Sequence, residues 1–259
     1  MARRVALIDL LAARYPDRER RVLYAQVLRG EVTVDGAPVL KPGAPVPAEA
    51  AVAVRALPTF VSRGGEKLAA ALAAWKVECR GVVWLDAGCS TGGFTDCLLQ
   101  NGASLVHAVD VGEGQLHWQL RQDPRVHLLE GTNVMDLVPG SLTPPPSRAV
   151  ADLSFRSLRR AARHVLDLTA ERRGIFLVKP QFEMVTAPPE FHGVVKGAGA
   201  LRSILESLCA DLAAEEVAVA AIMRSPLRGA KGNREFLAEM VLRGACATAC
   251  ALPEDLFLE

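Results

Sequence analysis

Residues 82–103 read VVWLDAGCSTGGFTDCLLQNGA, and their reading decides the fold. An apolar run ends on Asp86, a turn follows at Gly88, and Gly92-Gly93 opens an amphipathic segment. That order predicts strand, glycine turn and helix. Such a loop lets a ligand approach the backbone, and the helix N-terminus behind it offers unpaired N–H groups. A phosphate P-loop would need Gly-Lys-Ser/Thr, which is absent here. The dinucleotide fingerprint G-x-G-x-x-G does not fit either, because Gly88 and Gly92 stand four apart.

The chain alternates on both sides of this stretch. Apolar strand candidates fall at 82–86, 105–110, 126–129, 149–153, 174–179, 217–223 and 236–242. Helical spacing falls at about 66–76, 93–101, 115–121, 157–169 and 199–214. Alternation of this kind predicts an α/β fold: a mostly parallel sheet of seven strands with helices on both faces. Asp110 closes the second strand, where an acid can accept hydrogen bonds from ribose hydroxyls or simply cap a helix. Segment 174–183, GIFLVKPQFE, is a fully apolar strand that ends on Lys179, with Pro180 stopping the ladder. Lysine is among the residues least often buried, so its place at the end of such a strand needs a reason. Segments 141–147 and 186–199 read as loops, the second long enough for a functional flap.

Residues 1–57 form a separate unit, joined by a linker at 58–64 to a domain over 65–259; the bridging stretch RALPTFVSRGGEKL carries Pro58 and the Gly64-Gly65 pair, which suit a linker. Two helical patterns come first, VALIDLLAARY and DRERRVLYAQVLRG, with Asp17 as expected N-cap and Gly30 as stop. EVTVDGAPVL follows and predicts a hairpin around Asp35-Gly36. The first thirty residues carry seven arginines against three acids, a net +4, within a chain of net charge +1. A local basic patch suits nucleic acid or another anionic surface, or is an ordinary solvated face.

Composition excludes several classes. Half of the 259 residues are hydrophobic, enough for a sizeable core. No stretch reaches the roughly 18 apolar residues of a membrane span, and Asp9 and Arg14 interrupt the apolar N-terminal run before any small-residue cleavage site. The six cysteines, at 79, 89, 97, 209, 246 and 250, form no CxxC pair and match no metal-site spacing. Reduced, packed thiols, no metal and a cytoplasmic location are expected.

Two resemblances add to this reading. The N-terminal unit resembles the alpha-L RNA-binding motif of a ribosomal small-subunit protein, through its leucine-rich first helix, Arg20-Arg21, GEVTVDG and KPG. The glycine loop, of form D-x-G-x-x-x-G-G, resembles the S-adenosylmethionine loop of Rossmann-like class I methyltransferases. Six blocks in order, VSRGGEKL, the glycine loop, AVDVGEGQLHWQLRQDPRVHLLEGTN, VADLSF, LVKPQFE and GNREF, resemble the TlyA family. That family joins an alpha-L domain to a methyltransferase domain of the FtsJ ribose 2′-O type.

The resemblance implies S-adenosylmethionine as cofactor and ribosomal RNA or a ribosomal subunit as partner, with methylation of cytidine in 23S and possible 16S RNA. It implies a catalytic tetrad of Lys67, Asp152, Lys179 and Glu235. Lys179 would be the general base, Asp152 its orienter, and Lys67 and Glu235 the positioners of base and substrate. Burial and a second cation, Lys67, would favour the neutral amine, while Asp152 opposes that. Asp86, Gly88, Ser90, Thr91, Gly92, Gly93, Phe94, Asp110, Val111, Gly112, Gln115 and Asn133 would hold the cofactor. Asp86 would pair with the methionine ammonium or hold the loop. Trp118 is expected in the core. Arg3, Arg4, Arg18, Arg20 and Arg21 would meet RNA phosphates, contacts that position without reading sequence. Arg156, where an apolar residue is expected, and Gly131, where a charge is common, depart from the pattern. Two rival functions remain on sequence alone: a membrane-active haemolysin, and an RNA-binding module with an inactive methyltransferase domain.

Overall fold

The computed structural model describes residues 3–55, 59–154, 156–186, 191–229, 231–242 and 252–257. Contacts divide the chain into two units, Met1–Leu57 and Pro58–Glu259.

In the first unit, β1 (Arg4–Ala6) runs into α1 (Leu7–Arg14), and α2 (Arg20–Leu28) follows. The strands β2 (Val32–Val34), β3 (Ala37–Pro38), β4 (Pro45–Pro47) and β5 (Val52–Val54) complete it. β3-β2-β5 form one antiparallel sheet, and β1 pairs with β4 in a second. The expected hairpin is present: Asp35 and Gly36 both have positive φ, as a two-residue primed turn requires. Two sequence expectations fail locally. Val5 and Ala6 are strand rather than helix, because they pair with Val46 and Pro45. The N-cap of α2 is Glu19 rather than Asp17, and it makes no side-chain cap bond. The KPG turn supplies caps of another kind. The Leu7 and Ile8 N–H groups donate to Ala44 O and Pro42 O, both at 2.9 Å, which satisfies donors at the start of α1.

The second unit opens with α3 (Arg63–Trp75) and continues as β6 (Val83–Ala87), α4 (Gly93–Gln100), β7 (Leu105–Val109), α5 (Trp118–Arg121) and β8 (Val126–Leu129). After them come β9 (Arg148–Ala151), α6 (Leu158–Asp167), β10 (Arg173–Val178), α7 (Pro180–Glu183), α8 (Ala198–Ala214), β11 (Val217–Arg224) and β12 (Phe236–Leu242). The seven strands form one sheet in the order β11-β12-β10-β9-β6-β7-β8. Only β12 runs against its neighbours. Alternate residues along each strand enter opposite cores. Leu85, Phe176 and Phe236 pack with α6 and α8, while Trp84, Leu177 and Leu237 pack with α3, α4 and α5. Burial on both faces explains why the strands read as continuous apolar runs.

α3 begins at Arg63, before the expected Glu66, and takes in two glycines that read as linker. They serve close packing. A Cβ on Gly65 would lie 2.2 Å from the Phe60 ring, and one on Gly93 of α4 would lie 2.9 Å from Gly65 N. Of the expected linker, Pro58 lies outside the described residues, and Val61 N–H donates to Asp96 Oδ2 at 2.8 Å. Of the 186–199 loop, 187–190 also lie outside them.

The helix expected at 115–121 shrinks to the single turn α5, after Gly112 and a positive-φ Gly114. Trp118 is 61 % exposed, against the expectation that it packs in the core; Leu120 of that turn and Leu116 just before it are buried instead. Cys79, Cys89 and Cys97 are buried free thiols and Cys209 is half-buried. Burial pushes the Cys79 thiol up to about 11 and Cys97 up to about 12, which leaves both protonated and inert. Cys246 and Cys250 lie outside the described residues.

Candidate active site

The carboxyl edge of the sheet gathers the chemistry. The order of strands reverses between β6 and β9, the switch point where open α/β sheets bind ligands. Ala87 pairs with Ala151 and Val109 across β6, so the next residues, Gly88, Asp152 and Asp110, emerge side by side. Val178 pairs with Phe236 across the antiparallel β10–β12 contact. Lys179 follows the first and Glu235 precedes the second, so both leave the sheet at the same edge. Lys67 reaches this edge from α3, where it is 8 % exposed.

These four residues form two ion pairs. Lys67 Nζ donates to Glu235 Oε2 at 2.6 Å, and the two side chains are 10 % and 4 % exposed. Lys179 Nζ lies 2.6 Å from Asp152 Oδ1, an ion contact without hydrogen-bond alignment, because that oxygen makes no hydrogen bond. The aligned bond from Lys179 Nζ goes to Ser154 Oγ, at 2.9 Å. Lys67 is thus neutralised by its own partner and is a weaker second cation toward Lys179 than the sequence suggests.

All four line one cavity of about 550 Å³, together with Gly88, Ser90, Thr91, Gly93 and Phe94. A second cavity, of about 500 Å³, is lined by Asp110, Val111, Gly112, Gln115 and Asn133. Gly88, Ser90, Asp152 and Ser154 belong to both walls, so the two spaces adjoin. Asp86 and Gly92 line neither. Gly92 is a packing position, since a Cβ there would lie 2.3 Å from Leu120.

The loop is tightly organised. Gly88 has φ +84, and a Cβ would meet the Asp152 carbonyl oxygen at 2.8 Å, so only glycine fits between the two strand ends. Ser90 N–H and Gly112 N–H donate to the two carboxylate oxygens of Asp110, at 2.8 and 2.7 Å. Both bonds fix the carboxylate while each oxygen keeps a further lone pair for a ligand. Ser90 Oγ donates to Gln115 Oε1 at 3.2 Å. Asn133 Oδ1 accepts from Met135 N–H and so anchors the far wall.

Asp86 is fully buried on the same sheet face as Trp84. Its Oδ2 accepts from Thr95 Oγ1 at 2.6 Å, and its Oδ1 has no partner among the described residues. Burial, opposed by the Thr95 bond and aided by Asp152 and Asp110, pushes this carboxyl up to about 7. The folded state therefore holds the proton more tightly than the unfolded chain. That stabilisation is complete below the ordinary value of 3.8 and is lost as pH rises through about 7. Asp86→Asn should flatten this dependence by on the order of 4 kcal/mol between pH 4 and pH 8. Urea unfolding of both proteins at the two pH values measures it; parallel curves would reject the assignment.

Ser154 and Asn233 were missed by sequence reasoning. Ser154 is the second residue after Asp152, inside the quoted VADLSF block. Asn233 is 3 % exposed, accepts from Val195 N–H at 2.9 Å and donates to Gly193 O at 2.7 Å. It thereby fastens the segment carrying Phe191 and Gly193 over the first cavity. Its position two residues before Glu235 in GNREF was the available signal.

Residues 60–240 match the FtsJ-like methyltransferase family. The chain belongs to that family. Within it, the chain is 40 % identical over 242 residues to TlyA of Mycobacterium tuberculosis, a 16S/23S rRNA (cytidine-2′-O)-methyltransferase, covering 91 % of this chain and 89 % of that one. It is 37 % identical over 188 residues to Hemolysin A of Brachyspira hyodysenteriae, covering 71 % and 77 %. A solved structure from Streptococcus thermophilus, named as a hemolysin, superposes with a TM-score of 0.72 at 33 % identity, covering 99 % and 94 %.

The cofactor of this FtsJ-like methyltransferase is S-adenosylmethionine. The site fits it: the second cavity has a fixed carboxylate for ribose hydroxyls and shares the Gly88 and Ser90 wall with the first. Among the described residues no group of side chains could hold a metal ion, and no helix is long and apolar enough to cross a membrane.

Proposed function

We propose that this protein methylates the 2′-oxygen of a ribose, that of cytidine, in 23S and 16S ribosomal RNA. One observation carries the reading: Lys67, Asp152, Lys179 and Glu235 meet on one cavity that shares a wall with the cofactor-type cavity. The named activity of the Mycobacterium relative supports the RNA substrate.

When bound, S-adenosylmethionine supplies an electrophilic methyl group on its sulfonium. A ribose hydroxyl is a poor nucleophile, so the chain must remove its proton as the carbon–oxygen bond forms. Lys179, as the neutral amine, accepts that proton. Asp152, 2.6 Å away, stabilises the ammonium as it develops, and Ser154 fixes the direction of Nζ. The Lys67–Glu235 pair holds the acceptor sugar against the base. The products are the 2′-O-methylated ribose, S-adenosylhomocysteine and one proton.

Asp110 would accept from the cofactor ribose, with Val111, Gly112, Gln115 and Asn133 around the adenosine. Ser90, Thr91, Gly93 and Phe94 would shape the loop beside the reacting methyl group. Burial of Asp86 and its bond from Thr95 favour holding the loop over pairing with the methionine ammonium.

The N-terminal unit would dock RNA through phosphate contacts from its arginines. Arg3 and Arg4 are exposed. Arg20 and Arg21 already pair with Asp9 and Glu19, and Arg18 stacks on Tyr15 and donates to Gln26. These three would exchange a partner for phosphate, which lowers their contribution below that of free arginines. An rRNA substrate would put the protein in the cytoplasm. The hemolysin names of relatives raise pore formation, but no feature of the described residues favours it.

Incubation with ribosomal RNA, or with ribosomal subunits, and S-adenosylmethionine should yield ribose methylation at one or two mapped cytidines. Absence of methyl incorporation into every RNA and subunit offered would overturn the proposal.

A further inference from the structure

Glu183 is 2 % exposed, and the reaction described above does not use it. It closes the one-turn helix α7, four residues beyond Lys179. Its Oε1 accepts from Leu158 N–H at 2.9 Å, and its Oε2 accepts from Ser157 Oγ at 2.6 Å. Ser157 is the N-cap of α6, and its Oγ accepts in turn from Arg159 N–H at 3.2 Å. Arg159 Nη2 returns a bond to the Glu183 carbonyl oxygen at 2.9 Å. Burial pushes the Glu183 carboxyl above its ordinary value, and the bonds from Leu158 N–H and Ser157 Oγ at the helix start oppose that.

The position of this clamp matters more than its strength. The loop from Asp152 to Ser157, of which Phe155 lies outside the described residues, carries the residues that touch Lys179 at its near end, Asp152 and Ser154. Its far end is held by Glu183. One short segment, Lys179 to Glu183, thus grips that loop at both ends. The same loop walls both cavities, through Asp152 and Ser154 in each and through Leu153 and Arg156 in the second. A slip of the far end would shift Asp152 and Ser154 against the amine.

We propose that Glu183 is a positioning residue for methyl transfer: by holding Ser157 and Leu158 it sets the loop that aligns Lys179 between cofactor and acceptor. The inference rests on the reading of Lys179 as the base.

The test compares Glu183→Ala, Glu183→Gln and Ser157→Ala in the full chain. Misplacement by about 1 Å can cost about 100-fold in rate. Glu183→Ala should lower kcat by about 10- to 100-fold at saturating cofactor and RNA, with the RNA KM and cofactor Kd near wild type. Glu183→Gln should recover most of the rate, since its carbonyl accepts from Leu158 N–H and its amide donates to Ser157 Oγ. Ser157→Ala breaks one bond only and should fall between them; it decides the matter if Glu183→Ala fails to fold. Rates that fall only in proportion to the folded fraction, in all three variants, would overturn the proposal.

A second readout does not depend on turnover. Labelling of Lys179 Nζ by an amine-reactive reagent, followed by mass spectrometry, should quicken several-fold in Glu183→Ala or Ser157→Ala while exposed lysines react as before. Unchanged Lys179 labelling would overturn the clamp even in a protein that methylates nothing. A wild-type enzyme without methyl transfer but with the expected labelling would instead discard the reading of the reaction.

Discussion

Lys179→Ala is expected to abolish methyl transfer while leaving fold and cofactor binding intact. General-base catalysis typically contributes about 100- to 10,000-fold, and the loss in kcat should fall in that range. Lys179→Arg separates two explanations. Arginine keeps the cation and its contact with Asp152, but a guanidinium stays protonated and cannot accept the ribose proton. If Lys179 acts as base, arginine fails as alanine does; if it is only the partner of Asp152, arginine restores activity. The fold should survive because Asp152 is 27 % exposed at its side chain and water can replace the amine. Single-turnover transfer of a labelled methyl group to rRNA, beside calorimetric cofactor binding, reads both. Near-normal turnover of Lys179→Ala would remove the lysine from the mechanism.

Lys67→Met is expected to destabilise the second unit by about 3–5 kcal/mol, because it leaves Glu235 as an unpaired buried charge. For a domain near 200 residues each kcal/mol moves Tm by about 2–4 °C, so the drop should be on the order of 10 °C. Glu235 has little room to turn away: Gly229 lies so near that a Cβ there would be 2.4 Å from Glu235 Oε1. The double variant Lys67→Met, Glu235→Leu removes both charges and should recover most of the stability, as apolar replacement of buried pairs often does. It should not recover methyl transfer if the pair positions the sugar. A single-variant loss under about 1 kcal/mol would mean that the pair is solvated, as surface bridges are.

Much of the fold was legible because its signals are local. Seven apolar runs with helical spacing between them specify strands and helices whatever their neighbours, and each run appears as a strand of the central sheet. Glycine spacing at 88, 92 and 93 marks a loop that only small residues allow, and Pro180 marks the end of β10. Misreadings arose where a local signal had two physical meanings. Gly64 and Gly65 read as linker, yet they lie in α3 and admit the close approach of α4. Pro180 stops a strand and also opens a helix at its first turn, which is how α7 escaped notice. Trp118 reads as core by its size, but a single helical turn has one buried side, and Leu120 occupies it.

The sequence by itself determined the α/β class and the order of its elements, because composition and periodicity are properties of neighbours along the chain; the four polar residues of the candidate site came from the resemblance of its motifs to a known family. The tertiary structure alone decided how those four are paired. Lys67 and Glu235 are 168 residues apart, and only the antiparallel course of β12 brings Glu235 to the edge where the parallel strands end. It also decided that Asp86 lies beneath the loop rather than in it, and that Glu183 grips the loop of Asp152. Those facts depend on register and on the distance between side chains, which no spacing within a single segment specifies.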